Sequence, residues 1–273
     1  MKLSQEKTLN HTSLRYPARL IHLTHKESVY ILHPAIRKNI VITSFHNPME
    51  ILEYIPVNLD LEEIKRRLHM GKSGDWSHVQ TLVEEAQSLI SAKAVYKVCY
   101  IDSKHEDAIT IDGRRLKSRV LRKNLNNVER VFLYVVTIGN RLEEKARACT
   151  DLLKKYYLDT IGNVALTDVR KYLKTQLQSR YALDGMSYMS PGSLKDWAIE
   201  EQIPLFSILG DVEASIGVKL SENLLMLPNK SLSGIYFPTE IPFYRCQLCH
   251  REDCPTRKAP YDEKLAREYG IVE

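Results

Sequence analysis

The segment from residue 189 to residue 244 constrains the fold most, because turn, helix and strand signals follow one another in it at short intervals. A turn signal, Ser190–Ser193 with the sequence SPGS, opens the segment. A helical pattern over Glu200–Ile216 follows, with an apolar stripe at Leu205, Phe206, Leu209, Val212 and Ile216. The pieces IGVKLSEN and SLSGIYF come next, separated by a turn at Pro228-Asn229. This part of the chain therefore predicts a helix followed by short strands.

Upstream of this segment, hydrophobic periodicity predicts three more helices. Asp60 can cap a helix that carries Leu61, Ile64 and Leu68. A second helix has an apolar face formed by Val79, Leu82, Val83, Ala86, Leu89 and Ile90. A long helical pattern over residues 151–180 places these side chains inward: Leu152, Tyr156, Ile161, Ala165, Val169, Tyr172, Leu173 and Leu177.

Strand signals lie between these helices. Residues 94–101 and Val131–Thr137 are apolar runs of strand length, and Asp112-Gly113 is a hairpin-type turn. Strands interleaved with helices and hairpins predict an α+β fold with a curved, mainly antiparallel sheet and packed helices. We expect residues 1–58 to be an N-terminal extension of uncertain structure. Residues 59–273 would then form one domain, which includes a cysteine-rich segment at 244–262.

Composition argues against several classes of partner. The net charge is +5, and the basic residues are scattered rather than clustered, so we expect no nucleic-acid partner. The longest strongly apolar run, Val131–Val136, is too short to cross a bilayer, and the polar start Met1–Lys7 predicts no secretory signal. Five cysteines, three of them grouped, do not fit a disulfide scaffold. We therefore expect a cytoplasmic protein without a membrane partner.

Five motifs in the segment carry a family resemblance. They are Pro191-Gly192, Gly217–Glu222 (GVKLSE), Met226–Pro228 (MLP), Ser231–Phe237 (SLSGIYF) and Tyr244. Their order resembles that of the activation (reactivation) domain of vitamin B12-dependent methionine synthase. The loop SPGSLKDW, at residues 190–197, is similar to that of the free-standing relatives of this domain. The resemblance implies the same α+β fold for the present chain.

The resemblance also implies a function. Domains of this family bind S-adenosylmethionine and meet a corrinoid protein whose cobalt has become Co(II). An electron from a donor protein and a methyl group from S-adenosylmethionine then restore methyl-Co(III). The chain would thus be an accessory protein for reductive (re)activation of a corrinoid/cobalamin-dependent methyltransferase. It has no D-x-H-x-x-G corrinoid-binding motif, so the corrinoid would come on a partner.

By the same resemblance, the ligand site would be formed by Tyr188, Ser190, Pro191, Gly192, Ser193 and Tyr244. No catalytic side chain is expected, because the chemistry belongs to the cobalt and the sulfonium. If the protein is active as an enzyme, it would transfer a methyl group from S-adenosylmethionine to cobalamin.

The site departs from the family pattern at two positions. Tyr188 stands where the family has an arginine that contacts the methionine carboxylate, and Ser193 replaces a loop tyrosine. Asp168 is the residue that could stand in for a ligand-binding helix glutamate. Because a tyrosine cannot form the paired hydrogen bonds of an arginine, we expect weak S-adenosylmethionine binding. On this basis Tyr188→Arg would tighten binding by about 1–3 kcal/mol.

A second motif, Cys246-x2-Cys249-x4-Cys254, follows the segment and is absent from the methionine synthase pattern. Thiolates at this spacing select an iron–sulfur cluster or zinc, and we favour the cluster. Zinc requires a fourth ligand, which Cys99 or Cys149 could supply from elsewhere in the chain. Three unliganded thiols are the remaining alternative.

Two other functions fit the sequence. The chain could be a non-catalytic docking module for a corrinoid protein, with an eroded ligand site, which Tyr188 and Ser193 favour. Alternatively, it could be an iron–sulfur electron-transfer protein that uses the fold as a scaffold.

Overall fold

The computed structural model describes residues 47–70, 76–254 and 257–271. Its helices are α1 (Leu61–Arg67), α2 (Ser77–Leu89), α3 (Arg119–Asn124), α4 (Arg141–Ala148), α5 (Leu152–Tyr181), α6 (Gln202–Leu209), α7 (Val212–Ile216) and α8 (Glu263–Glu268). Its strands are β1 (Glu50–Leu52), β2 (Lys93–Lys104), β3 (Ala108–Ile111), β4 (Arg114–Lys117), β5 (Arg130–Thr137), β6 (Met186–Met189), β7 (Lys219–Leu220), β8 (Met226–Leu227) and β9 (Ser231–Pro238). Two 3-10 turns cover Ile199–Glu201 and Arg245–Leu248.

Seven strands form one sheet in the order β4-β3-β2-β5-β9-β6, and β1 pairs with the first part of β2. Every pairing in this sheet is antiparallel. Strands β7 and β8 form a separate antiparallel pair. The predicted α+β class, with an antiparallel sheet and packed helices, is therefore confirmed.

Helices cover both faces of the sheet, which explains why β5 is apolar along its whole length. On one face, Phe132, Tyr134 and Val136 pack in a core shared with α1, α2 and α5. On the other face, Val131, Leu133 and Val135 pack in a second core shared with α3, α6, α7 and α8. These six side chains are all fully buried. The predicted central strand is thus correct.

Two local predictions, the cap of α1 and the hairpin turn between β3 and β4, are confirmed. The Asp60 carboxylate accepts hydrogen bonds from the Glu62 and Glu63 N–H groups and so caps α1. Asp112 and Gly113 join β3 to β4 with φ angles of 47° and 69°. Two successive positive φ angles are characteristic of a type I′ hairpin turn.

The single helix predicted over Glu200–Ile216 is wrong. The chain instead forms a 3-10 turn, α6 and α7, with a break at Gly210. Gly210 has a φ of 98°, and the Asp211 carboxylate caps α7 by accepting from the Ala214 N–H at 2.9 Å. The apolar period continues across this break, so periodicity alone could not show it.

Two inward positions predicted for α5 are also wrong. Leu152 is 81% exposed and Tyr156 is 47% exposed, whereas Ile161, Ala165 and Val169 are fully buried. A helix of 30 residues is about 45 Å long. Its first two turns carry the exposed residues Leu152 and Tyr156, and periodicity does not predict which part of a long helix is covered.

The described residues belong to one compact unit, residues 44–273. Residues 1–46 lie outside the description, so the predicted boundary at residue 58 stays a prediction. Glu50–Leu52, which precede that boundary, form β1 and pair with β2. In the described ranges no helix combines the length and the apolarity that a bilayer span needs.

Candidate functional site

The predicted ligand loop is a closed turn that follows β6, the edge strand of the sheet. The Gly192 N–H donates to the Trp197 carbonyl at 2.7 Å. The Ser193 N–H and hydroxyl both donate to the Ser190 carbonyl, at 3.2 Å and 2.5 Å. The loop conformation is therefore fixed by its own hydrogen bonds.

Gly192 lies at the exposed tip of this loop, while Pro191 beside it is buried. Its φ is 74°, which L residues rarely adopt. A Cβ atom at this position would lie 2.7 Å from Cδ1 of Ile199. The backbone conformation thus favours glycine here, whereas the close atom is the end of a side chain that can turn away.

Asp196 and Trp197 anchor the other end of the loop. The Asp196 carboxylate accepts from the Ser118 hydroxyl at 2.6 Å and from the Val120 N–H at 3.0 Å. Trp197 is fully buried in the core next to α3 and α6. The D-W pair of the SPGSLKDW motif therefore ties the loop to α3.

Gly234, in the middle of β9, allows the loop to approach the sheet. A Cβ atom there would lie 2.4 Å from the Met189 carbonyl oxygen and 2.9 Å from the hydroxyls of Ser190 and Tyr134. The motifs in the sequence indicated no separate role for this residue. A glycine inside a strand pattern is the signal that could have predicted a close backbone approach.

The aromatic side chains beneath the loop form a stacked group. Tyr134 stacks on Tyr236 with ring centroids 4.4 Å apart, and Tyr188 meets Tyr236 edge-on at 6.0 Å. The Tyr236 hydroxyl donates to the Arg170 carbonyl of α5 at 2.7 Å. The Tyr134 hydroxyl is fully buried and makes no hydrogen bond of acceptable geometry in the described ranges, although the Ser190 hydroxyl lies close to it.

Tyr188, predicted to stand where the family has an arginine, lies against an arginine from another part of the chain. The Arg170 guanidinium lies over its ring, 4.0 Å from the centroid. Burial raises the pKa of Tyr188, but the charges of Arg170, Arg245 and Lys258 outweigh that effect and lower it overall. Lys174, one helical turn after Arg170, has its pKa lowered by burial and then by Lys258. The sequence motifs predicted a site role for none of these four cations.

The structure brings the segment of Tyr244 to the edge of β6. The Phe243 N–H donates to the Ser187 hydroxyl at 2.8 Å, and Tyr244 follows with 41% of its surface exposed. Asp168, the candidate for the family glutamate, instead accepts from the Asn58 N–H at 2.9 Å. The loop, Tyr188 and the start of the C-terminal segment are therefore neighbours, and the ligand role of each residue stays a prediction.

The cysteine segment is organised around an arginine. The Arg257 guanidinium donates to the carbonyl oxygens of Cys246 and Cys249, each at 3.2 Å. The Cys246 sulfur accepts from the Lys258 N–H at 3.4 Å. Among the residues that the structure describes, no three His, Cys, Asp or Glu side chains are grouped so as to hold a metal ion.

The cysteines as placed do not fit the predicted metal centre. Cys254 does not close on an ion with Cys246 and Cys249. Cys99, considered as a fourth ligand, is buried in the core, and burial raises the pKa of its thiol to about 12. A neutral thiol is a poor metal ligand. The iron–sulfur prediction and its zinc alternative stay predictions without support from this arrangement.

Comparison with known proteins bears on the fold. No family model matches the chain, and no curated protein matches it. Among solved structures, the chain is similar to the MetH reactivation domain bound to AdoHcy. The TM-score is 0.50 and the sequence identity 16%, over 83% of this chain and 87% of the other. The two share the reactivation-domain fold, so the sequence resemblance is confirmed at the level of architecture.

Proposed function

We propose that this chain is an accessory module for the reductive reactivation of a corrinoid-dependent methyltransferase. The observation that carries the proposal is the closed Ser190–Ser193 loop, at the end of β6, in a fold shared with a domain that binds AdoHcy. S-adenosylhomocysteine has the size and the polar groups of S-adenosylmethionine without its methyl group. The loop is the part of this chain that would receive either ligand.

The residues at the loop fit such a ligand. Gly192 is exposed and has no side chain, so a ligand can approach the loop backbone closely there, although its N–H already donates to the Trp197 carbonyl. The buried Tyr134 hydroxyl, which lacks a good partner, lies just behind Ser190. S-adenosylmethionine, when bound, would supply the methyl group. The chain itself would hold the ligand, and a partner protein would bring the corrinoid.

The proposal predicts that Gly192→Ala weakens binding of S-adenosylhomocysteine about tenfold or more. An alanine at a φ of 74° costs about 1–2 kcal/mol, and its Cβ would push against Ile199. Relief of this strain moves the loop backbone that receives the ligand. Isothermal titration calorimetry on the full chain measures the effect.

Gly113→Ala is the matched control for this variant. Gly113 has a φ of 69° with no atom within 4 Å of an added Cβ, so it carries similar backbone strain in the β3–β4 turn. We expect binding by this variant to equal that of the wild type. Absence of binding in the wild-type protein would favour a docking module without a ligand. Equal losses in both variants would show that the Ser190–Ser193 loop is not where the ligand binds.

The partner is tested separately. We expect the chain to bind a corrinoid protein from the same cell at least about tenfold more tightly when the cobalt is Co(II) than when it is methyl-Co(III). A reactivation module must distinguish these states, and such selectivity is a difference in affinity. Dissociation constants for both states, measured anaerobically, decide the question. Equal affinities, or no binding, would contradict the proposal.

A further inference from the structure

Cys246 and Cys249 lie on one hydrogen-bonded turn. The Cys249 N–H donates to the Cys246 carbonyl at 3.3 Å, across the 3-10 turn Arg245–Leu248. Side chains three residues apart in such a turn lie on the same side of it. The turn also keeps the two Cα atoms within about 7 Å of each other. A disulfide spans a Cα separation of about 4.4–6.8 Å, so the backbone places these two cysteines where a disulfide can join them.

Contacts with three other parts of the C-terminal segment and the core hold this turn in place. Leu248, between the two cysteines, is buried in the second core. The Asp262 N–H donates to the Gln247 carbonyl at 2.9 Å. The Arg257 guanidinium binds the carbonyl groups of both cysteines and so fastens the two ends of the turn. Because the backbone is already ordered, closing a bond between the two sulfurs costs little further conformational entropy.

Both thiols can be reached from solvent. Cys246 and Cys249 are partly exposed, whereas Cys99 is buried in the core. The Lys258 N–H donates to the Cys246 sulfur at 3.4 Å, which positions one sulfur of the pair. An external reagent therefore has access to the two thiols that the turn brings together.

The arrangement supplies two sulfurs and not a complete set of metal ligands. A structural zinc ion takes four ligands, and an iron–sulfur cluster is usually held by four cysteines. Within residues 47–70, 76–254 and 257–271, no third His, Cys, Asp or Glu side chain joins the pair in a metal-binding group. A disulfide needs two sulfurs alone, and C-x-x-C is the spacing of disulfide oxidoreductase motifs.

We propose that Cys246 and Cys249 form a redox-active dithiol, which a small disulfide of the glutathione class oxidises reversibly. The thiolate of one cysteine attacks the small disulfide, whose S–S bond breaks and releases one thiol. The second cysteine then attacks the mixed disulfide and releases the other thiol. The protein gives up two electrons and two protons, which the two released thiols carry away. Neither S-adenosylhomocysteine nor a corrinoid protein takes part in this chemistry.

The test equilibrates the full chain with mixtures of glutathione disulfide and glutathione, followed by acid quenching and peptide mapping by mass spectrometry. We expect a disulfide between Cys246 and Cys249 that dithiothreitol reverses. Its equilibrium constant is measured for the native chain and for the chain unfolded in concentrated urea. Because the fold holds the turn, the native constant should be at least about tenfold larger. Equal constants would overturn the proposal.

Serine variants identify the two sulfurs. Cys246→Ser and Cys249→Ser should each abolish the disulfide and retain one glutathione on the remaining cysteine of the pair. Cys149 is also partly exposed, and Cys149→Ser is the matched control that should leave the disulfide unchanged, as should Cys254→Ser.

Mapping of the wild-type chain decides the question even if a variant fails to fold. The proposal is overturned if the wild type forms no disulfide between Cys246 and Cys249, or if the disulfide joins another pair of cysteines. Iron or zinc bound to the purified chain in stoichiometric amount through these thiols would overturn it as well.

Discussion

Replacement of Gly234 by alanine is expected to lower the free energy of unfolding by about 3 kcal/mol or more. The added Cβ would lie 2.4 Å from the Met189 carbonyl oxygen, which belongs to the backbone of the neighbouring strand β6. It would also lie 2.9 Å from the hydroxyls of Ser190 and Tyr134. Backbone cannot move aside as a flexible side chain can, so β6 must separate from β9. Urea unfolding followed by circular dichroism measures the loss.

Gly162→Ala makes the same chemical change where the outcome should differ. An added Cβ on this α5 residue meets the flexible Lys230 side chain at 3.2 Å and a Leu142 methyl at 3.4 Å. Alanine also favours a helix over glycine by about 1 kcal/mol. We expect a change in stability within about 1 kcal/mol. Equal stability losses at Gly162 and Gly234 would show that the clash with the β6 backbone is not the cause of the loss at Gly234.

The central sheet and its helices could be predicted because their signals are local. The apolar run of β5 and the Asp112-Gly113 turn each determine a structure from a few neighbouring residues. The break at Gly210 was missed because one glycine interrupts a period that otherwise continues. The exposed start of α5 was missed because exposure depends on which neighbouring elements cover it, and periodicity does not carry that information.

The candidate site was only partly predictable, because some of its residues are contiguous and others are distant in sequence. The Ser190–Ser193 loop is a contiguous motif, and both its turn geometry and its Gly192 could be expected from the residues. The cations whose charges act on Tyr188 are not contiguous in sequence. Arg170 and Lys258 are 88 positions apart, and the packing of the C-terminal segment beside β6 brings them to the same side of the sheet edge. No periodicity or motif carries that information.

The surroundings of Tyr188 add a second expected effect of Tyr188→Arg, an effect on stability. From the sequence, an arginine at this position would restore a carboxylate partner and tighten ligand binding. In the structure, it would place a further positive charge among those of Arg170, Arg245 and Lys258, and it would remove the ring on which Arg170 lies. We expect Tyr188→Arg to lower the free energy of unfolding by about 2 kcal/mol, because several partly buried like charges would then repel one another.

Tyr188→Phe separates the charge effect from loss of the ring. It keeps the aromatic face under the Arg170 guanidinium and should change stability by about 1 kcal/mol or less. Repulsion between charges is screened by salt, so 1 M NaCl should recover part of the loss in Tyr188→Arg and none in Tyr188→Phe. Thermal unfolding of both variants at low and high salt provides the comparison. If Tyr188→Arg proves as stable as the wild type at low salt, the charges of Arg170, Arg245 and Lys258 do not act on position 188.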